Sequence, residues 1–261
     1  MNRFDFLNTC CAIAAVPSGF EGPKSVAGLN VPDSALSREA AATARACEPI
    51  EIFNHSLRAF FFAELIARAK GLAHDVEAVF VASILHDTGL SPAYMSQDRR
   101  FEVDSANLAR EIAGRHGVER ARADAIWDAV SLHDQGGIAR WKSTEVMLVN
   151  AGVVADFGGS LNLMKRDDVE AVLDSAPRTG FIPVFLDAVA VVAKRKPQTT
   201  GNSFVTDVGY RMVPGFHLEN FCDEVKTDPF AEYLAPLRPD GLQHRFESRP
   251  RSDPREPREA L

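Results

Sequence analysis

The segment from Val76 to His86, VEAVFVASILH, is apolar around nearly its whole circumference when it is set on a helix. A helix with no polar face has to be covered on every side, so the rest of the chain must be built around it. Asp75 stands in the N-cap position, where a short side-chain oxygen satisfies a free backbone N–H. The segment then runs into His86 and Asp87. Two titratable side chains at the end of the most apolar helix are costly unless something satisfies them.

The covering is also helical. PDSALSREAAATARAC opens on a proline and an Asp or Ser cap, and HSLRAFFFAELIARAK follows, with Asn54 as its cap and Gly71 in the position that favours a left-handed residue. SANLAREIAGRH, opened by Asp104 and closed by Gly117, is next. ERARADAIWDAVSLH, STEVMLVNAGVVADF, DDVEAVLDSA and IPVFLDAVAVVAKRK complete eight candidate helices. No alternating run of convincing length and no internal repeat lies between them. The expected fold class is therefore all-α, a helical bundle over about residues 33–195. The aromatic stretch TTGNSFVTDVGYRMVPGFHLENFCDEV should extend it to about residue 225 as an irregular C-terminal wrap. Residues 1–32 read as a loose leader rich in Gly and Pro, and residues 226–261 as a mostly disordered tail with little to bury.

Several function classes are disfavoured. A net charge of −7 and the lack of a long basic run give no general pull toward nucleic acid. No stretch approaches the ~18 apolar residues of a membrane span. The four cysteines, at 10, 11, 47 and 222, have no CxxC spacing and read as reduced thiols of a cytoplasmic protein. The apolar run CCAIAAV is too short for an export signal and is preceded by Asp5.

Chemistry is suggested by polar residues on apolar faces. His55 shares a face with Ala59, Phe62 and Ile66; Asp156 follows Val149, Gly152 and Val153 at helical spacing; His133 follows Ile126 and Val130 in the same way. One such histidine is ordinarily a hydrogen-bonded core residue. Two carboxylates and two or three imidazoles, all pointing inward from different helices, are better explained by a bound cation, which neutralises the acids and partners the rings. Nitrogen and carboxylate donors without sulfur suit Zn²⁺, Fe²⁺, Mn²⁺ or other divalent ions, and spacing does not choose among them.

NHSLR (54–58), LHDTG (85–89) and the helical Asp156 resemble the H…HD…D signature of the HD-domain metal-dependent hydrolase superfamily. The likeness is closest to the cyanamide hydratase-like branch. RRFEVDSANLAR (99–110) and AVSLHD (129–134) are similar to bacterial members as well, and the resemblance covers about residues 30–225.

The resemblance implies one divalent metal ion, zinc first with iron or manganese as alternatives, held by His55, His86, Asp87 and Asp156. It makes His133 an extra histidine beside the metal and Glu102 the Glu of an F-E motif on a loop over the site. Two-iron oxygenases of the superfamily carry a histidine three residues after the Asp of the HD pair. Leu90 stands there in this chain, and His74 and His116 read as surface residues, so a single metal is expected.

The reaction implied is the addition of water to a small nitrile-type substrate such as cyanamide. His133, Asp87 and Glu102 would act in catalysis. Arg58 and Phe62 would contact substrate, with the RAFFFAEL run forming one wall of the pocket. Two alternatives stay open. One is a phosphohydrolase using Arg58, Arg140 and Lys142 on a nucleotide or phosphate ester; the other is a non-enzymatic helical module with a structural metal. The expected partners are a small-molecule substrate and, as an option the sequence leaves open, further copies of the same chain. Neither nucleic acid nor membrane is expected.

Overall fold

The computed structural model describes residues 22–226 and Phe230. The start of the expected leader, with Cys10 and Cys11, and the tail beyond residue 230 lie outside the described residues. Eleven α-helices occur among the described residues: α1 (Ala35–Cys47), α2 (Ile50–Lys70), α3 (Val76–Leu85), α4 (Phe101–Arg115), α5 (Arg120–Ser131), α6 (Gly136–Ala139), α7 (Thr144–Asp156), α8 (Arg166–Ser175), α9 (Phe181–Arg195), α10 (Phe204–Met212) and α11 (Phe221–Glu224). The fold is all-α. No helix among the described residues is long and apolar enough to cross a membrane.

The apolar helix is at the centre, as its composition demands. Every residue of α3 from Ala78 to Leu85 is buried, and α1, α2, α4, α5 and α7 pack around it. The Asp75 carboxylate accepts from the Ala78 N–H, and the Ser34 hydroxyl caps α1 by accepting from Ser37. Gly71 closes α2 at φ +63°, a conformation that costs glycine little because it has no Cβ.

Local differences from the sequence reading have identifiable causes. Helix α2 starts at Ile50, behind Pro49, and not at Asn54. Proline has no N–H to leave unpaired at a helix start, so the helix extends back to it. Asn54 lies inside α2 and donates to the Pro177 carbonyl. Helix α4 starts at Phe101; Asp104 is within it and accepts from Lys196 Nζ and from Ser96. Within the expected leader, Ser25–Val26 (β1) and Leu29–Asn30 (β2) pair as a two-residue antiparallel hairpin, too short to leave an alternating pattern. The supposed irregular wrap contains α10, whose first turn is capped by Ser203 and which buries Val205, Val208 and Gly209 at helical spacing.

The chain divides into two compact units. The first ends at Leu218; the second, from Glu219, holds the short helix α11 among its described residues.

Helices α2 and α7 approach closely because α7 carries Gly152. A Cβ there would lie 2.1 Å from the Ala59 carbonyl oxygen and 2.9 Å from Ala63 N. Backbone atoms of a packed helix cannot yield to it. Gly152→Ala should therefore destabilise the fold by about 1–3 kcal/mol, the usual cost of overpacking, read as a lower thermal midpoint. Because Ala59 is one turn after His55, and Asp156 one turn after Gly152, the same contact sets the distance between those two side chains.

Candidate metal centre

One helix and one turn deliver the three side chains of the cluster. Helix α2 supplies His55; the turn after α3 supplies His86 and Asp87; all three are buried. The His55 and His86 Nε2 atoms are 3.2 Å apart. Asp87 Oδ2 lies 3.2 Å from His86 Nε2 and 3.8 Å from His55 Nε2. These three residues form a cluster that could hold a metal ion, the donor atoms all lying within 4.8 Å of one another.

The tautomers can be assigned from the partners. The His86 Nδ1–H donates to the Ser83 carbonyl at 2.7 Å, and the His55 Nδ1–H donates to Asp156 Oδ2 at 2.7 Å. A carbonyl and a carboxylate only accept, so both protons point outward and both Nε2 atoms face inward as bare lone pairs. Asp87 Oδ2, beside them, has no hydrogen-bond partner. Two lone pairs and a carboxylate oxygen facing one another repel unless a cation lies between them, so the donor set fits a divalent ion.

The titration behaviour agrees. Burial lowers His55, against the opposing pull of Asp156. Burial also works to lower His86, but the Asp87 charge outweighs it and raises the imidazole above its ordinary value. Burial would raise Asp87; His86 first, then His55 and His133, hold its carboxyl well below the usual carboxylate range instead. The field at the centre calls for positive charge.

Asp156, expected as a ligand, is placed outside the three-residue cluster and behind His55, where it accepts from Arg58 Nε at 2.7 Å and Arg58 Nη2 at 2.8 Å, in addition to His55. Arg178 Nε reaches its Oδ1 at 3.3 Å. With both oxygens so engaged, Asp156 fixes the orientation of His55, as a carboxylate behind a metal-bound imidazole does. Arg58 also differs from its expected role as a substrate contact. It is fully buried, and its Nη1 donates to the carbonyls of Ala176 and Pro177, so its guanidinium is committed to the protein.

Phe62 belongs to the main core with Phe60 and Phe61, so the RAFFFAEL run is not a pocket wall. The rings at the centre come from elsewhere. Phe181 stacks on His55 at 4.6 Å between centroids and 19° between planes, Phe157 meets the same ring edge-on, and Phe185 packs on both phenyls. Sequence periodicity gave no sign of them, because they lie over a hundred residues away, at the end of α7 and in α9.

His133, after α5, is next to the cluster and outside it. Its Nδ1–H donates to the Val130 carbonyl, and its bare Nε2 faces Asp87 Oδ1 at 3.8 Å. Burial, then the neighbouring His86, push this imidazole down to about 4. Phe101 packs edge-on against it at 5.6 Å.

Glu102 is in the first turn of α4, not on a loop. Gly89, just past the His-Asp pair, permits this placement: a Cβ there would lie 2.1 Å from the Phe101 carbonyl. Glu102 is buried and ion-paired with Arg100. Burial first, then the charge of Asp134, push its carboxyl up to about 7 against the pull of Arg100. Between its ordinary value of 4.5 and about 7 the folded state binds a proton that the unfolded state has released, so stability falls as pH rises through that window. Glu102→Gln should flatten this slope in urea unfolding at stepped pH; an unchanged slope would mean that the carboxyl titrates normally.

Leu90 is buried in the second apolar cluster, with Phe101, Phe181 and Phe185. His74 is nearly buried, contrary to its reading as a surface residue, because its Nε2 meets Glu64 at 2.7 Å at the far end of α2. His116 pairs with Glu39. Neither is part of the centre. Glu48, which no sequence signal singled out, is also buried, and neither of its carboxylate oxygens has a hydrogen-bond partner.

Residues 52–157 match the HD domain family. That range contains His55, His86, Asp87, His133 and Asp156. Over 218 residues the chain is 24% identical to the cyanamide hydratase DDI2 of Saccharomyces cerevisiae, covering 82% of this chain and 97% of the yeast protein, and the figures for the yeast cyanamide hydratase DDI3 are the same. The chain is a metal-dependent enzyme of hydrolase or hydratase type. Residues 52–157 carry the likeness to the HD domain, and over most of its length the chain is similar to the yeast cyanamide hydratases.

Proposed function

We propose that this protein hydrates a small nitrile-type substrate such as cyanamide, at one divalent ion held by His55, His86 and Asp87. The observation that carries this reading is the convergence of two outward-protonated imidazoles and an unpartnered carboxylate oxygen on one buried point. An ion held there supplies a Lewis acid that polarises a nitrile and acidifies water. Two imidazoles and one carboxylate leave coordination positions open, the pattern of a catalytic site and not of a closed structural one. The N₂O donor set favours zinc, with iron or manganese as alternatives.

The chain's own groups have distinct tasks. His133, with a bare Nε2 beside Asp87, accepts a proton from the attacking water and returns it to the nitrile nitrogen. The water oxygen goes to carbon, both of its protons end on nitrogen, and the product is an amide. Asp156 and Arg58 hold the His55 ring, while Phe157, Phe181 and Phe185 keep bulk water away.

Substrate size follows from burial. His55, His86 and Asp87 are each at most 1% exposed, which suits a molecule of a few heavy atoms and not a nucleotide. Two of the three cations that a phosphate would draw on are also engaged elsewhere. Arg58 is bound to Asp156, and Lys142 pairs with Asp128 at 2.7 Å.

The test is elemental analysis of the purified protein together with a panel of cyanamide, other small nitriles and phosphate esters. Cyanamide turnover that a chelator abolishes and a divalent ion restores is the expected result. Steady phosphate release from a nucleotide, with no turnover of any nitrile, would overturn the proposal in favour of the phosphohydrolase.

A further inference from the structure

Glu48 follows α1 and immediately precedes Pro49 at the start of α2. It is 6% exposed, and neither carboxylate oxygen has a hydrogen-bond partner. Burial pushes its carboxyl well above the ordinary range, and the Asp87 charge pushes the same way, so the two carboxyls are within electrostatic reach. Of the four further buried side-chain atoms without partners among the described residues, Asp134 Oδ1 is one and the other three are Ser56 Oγ on α2, Ser83 Oγ on α3 and Asp87 Oδ2.

The register of α2 on α3 shows how these atoms are arranged. Phe60 and Phe80 meet edge-on at 5.0 Å, and His55 meets His86 at 3.2 Å, so lower numbers on α2 face higher numbers on α3. Ser56, one turn before Phe60, and Ser83, one turn after Phe80, fall between those two contacts. Asp87 continues the same face one turn beyond Ser83, and Glu48 stands at the start of α2 on the metal-centre side. The seam therefore changes from phenyl rings to hydroxyls to carboxyls as it nears the centre.

An unsatisfied buried polar group costs about 1–3 kcal/mol, and a row of them is the usual environment of ordered internal water. We infer that Glu48 is a positioning residue of the metal centre, holding Asp87 through water lodged on Ser56 and Ser83 between α2 and α3. The inference rests on reading His55, His86 and Asp87 as the ion site. The Glu48 carboxyl donates into the water, and the water donates to Asp87. A carboxylate oxygen has two lone pairs, so Oδ2 can face an ion and still accept. The effect is to set the carboxylate's orientation before the ion arrives, as outer hydrogen bonds do at metal sites.

The test is Zn²⁺ binding to chelator-stripped protein, in competition with a chromophoric chelator, for the wild type, Glu48→Gln and Glu48→Leu. Glu48→Leu should bind zinc about 10–100-fold more weakly. Glu48→Gln, whose amide still donates, should keep wild-type affinity. Zinc-free Glu48→Leu should be at least as stable as the wild type in thermal unfolding, because leucine is buried without the desolvation cost of a carboxyl; a lower affinity is then not a folding defect. Wild-type affinity in Glu48→Leu overturns the inference. An equal loss in Glu48→Gln also overturns it, since that would mean a carboxylate bound directly to the ion. Should Glu48→Leu fail to fold, Ser83→Ala decides: weaker zinc binding supports the water link, and unchanged binding overturns it. If the wild type takes up no divalent ion, the ion site itself falls and the inference with it, whereas failure confined to the variants leaves the ion site standing.

Discussion

Asp87→Asn is expected to lose nearly all bound ion and to lower turnover by about 10³-fold or more, the scale of a Lewis acid worth several kcal/mol. Asp87 is the single carboxylate among the three converging donors, and its Oδ2 lies 3.2 and 3.8 Å from the two imidazole nitrogens. An amide of the same shape offers a neutral oxygen, and it can turn its NH₂ toward the lone pairs of His55 and His86, satisfying by hydrogen bonds what an ion would satisfy by charge. The ion-free fold should lose only the attraction between the Asp87 charge and the neighbouring imidazoles, read as a modestly lower midpoint than that of the ion-free wild type. The larger difference should appear when the ion is added, since a ligand that binds only the folded state raises the wild-type midpoint and leaves the variant's unmoved. Elemental analysis, turnover and unfolding with and without chelator check this together. A variant that keeps both ion and turnover would remove Asp87 from the centre.

The sequence shows which side chains point inward, but not what they meet. The all-apolar α3 and the His-Asp pair at its end were readable because a 3.6-residue period and a lack of polar residues are local properties. His55 and Asp156 were readable in the same way, as polar interruptions of apolar stripes. The role of Asp156 was not, because it depends on Arg58, 98 residues earlier, reaching it with two N–H groups. The Phe60–Phe62 run drew attention as a pocket wall by its rarity, yet three adjacent positions on a helix point in different directions and all of them entered the core. The rings on the centre came from Phe157, Phe181 and Phe185, whose neighbourhood only tertiary packing creates. Glu48 left no mark, since a glutamate before a proline at a helix junction ordinarily faces solvent. Helix α10 was missed because nine residues, introduced by Gly201 and Asn202, carry too few periods to outweigh a turn signal.

Arg58→Met is expected to destabilise the protein by about 3–5 kcal/mol, the range for removing one partner of a buried ion pair. The guanidinium is fully buried and makes four hydrogen bonds: two to Asp156, and one each to the carbonyls of Ala176 and Pro177 at 3.0 and 3.1 Å. Methionine fills the volume but leaves Asp156 buried, with only His55 and the partly exposed Arg178 as partners. Arg58→Lys should recover only part of the loss, because an ammonium cannot reproduce the two-pronged contact.

Acid should expose the same pair. Burial would raise Asp156, but Arg58 and His55 together lower its carboxyl below the ordinary value of 3.8. The stabilisation from a lowered carboxyl is fully present above the unfolded value and is lost as pH falls through the folded one. The wild type should therefore lose stability below about pH 4, and Arg58→Met should show a shallower acid limb, having less to lose. Adding Asp156→Asn to Arg58→Met should restore part of the stability, since the uncompensated charge is then gone. Urea unfolding of the two single variants and the double variant, at neutral pH and at stepped acid pH, closes the cycle. If Arg58→Met proved as stable as the wild type and only raised KM, the guanidinium would be a substrate contact after all; its four protein hydrogen bonds argue for the structural loss.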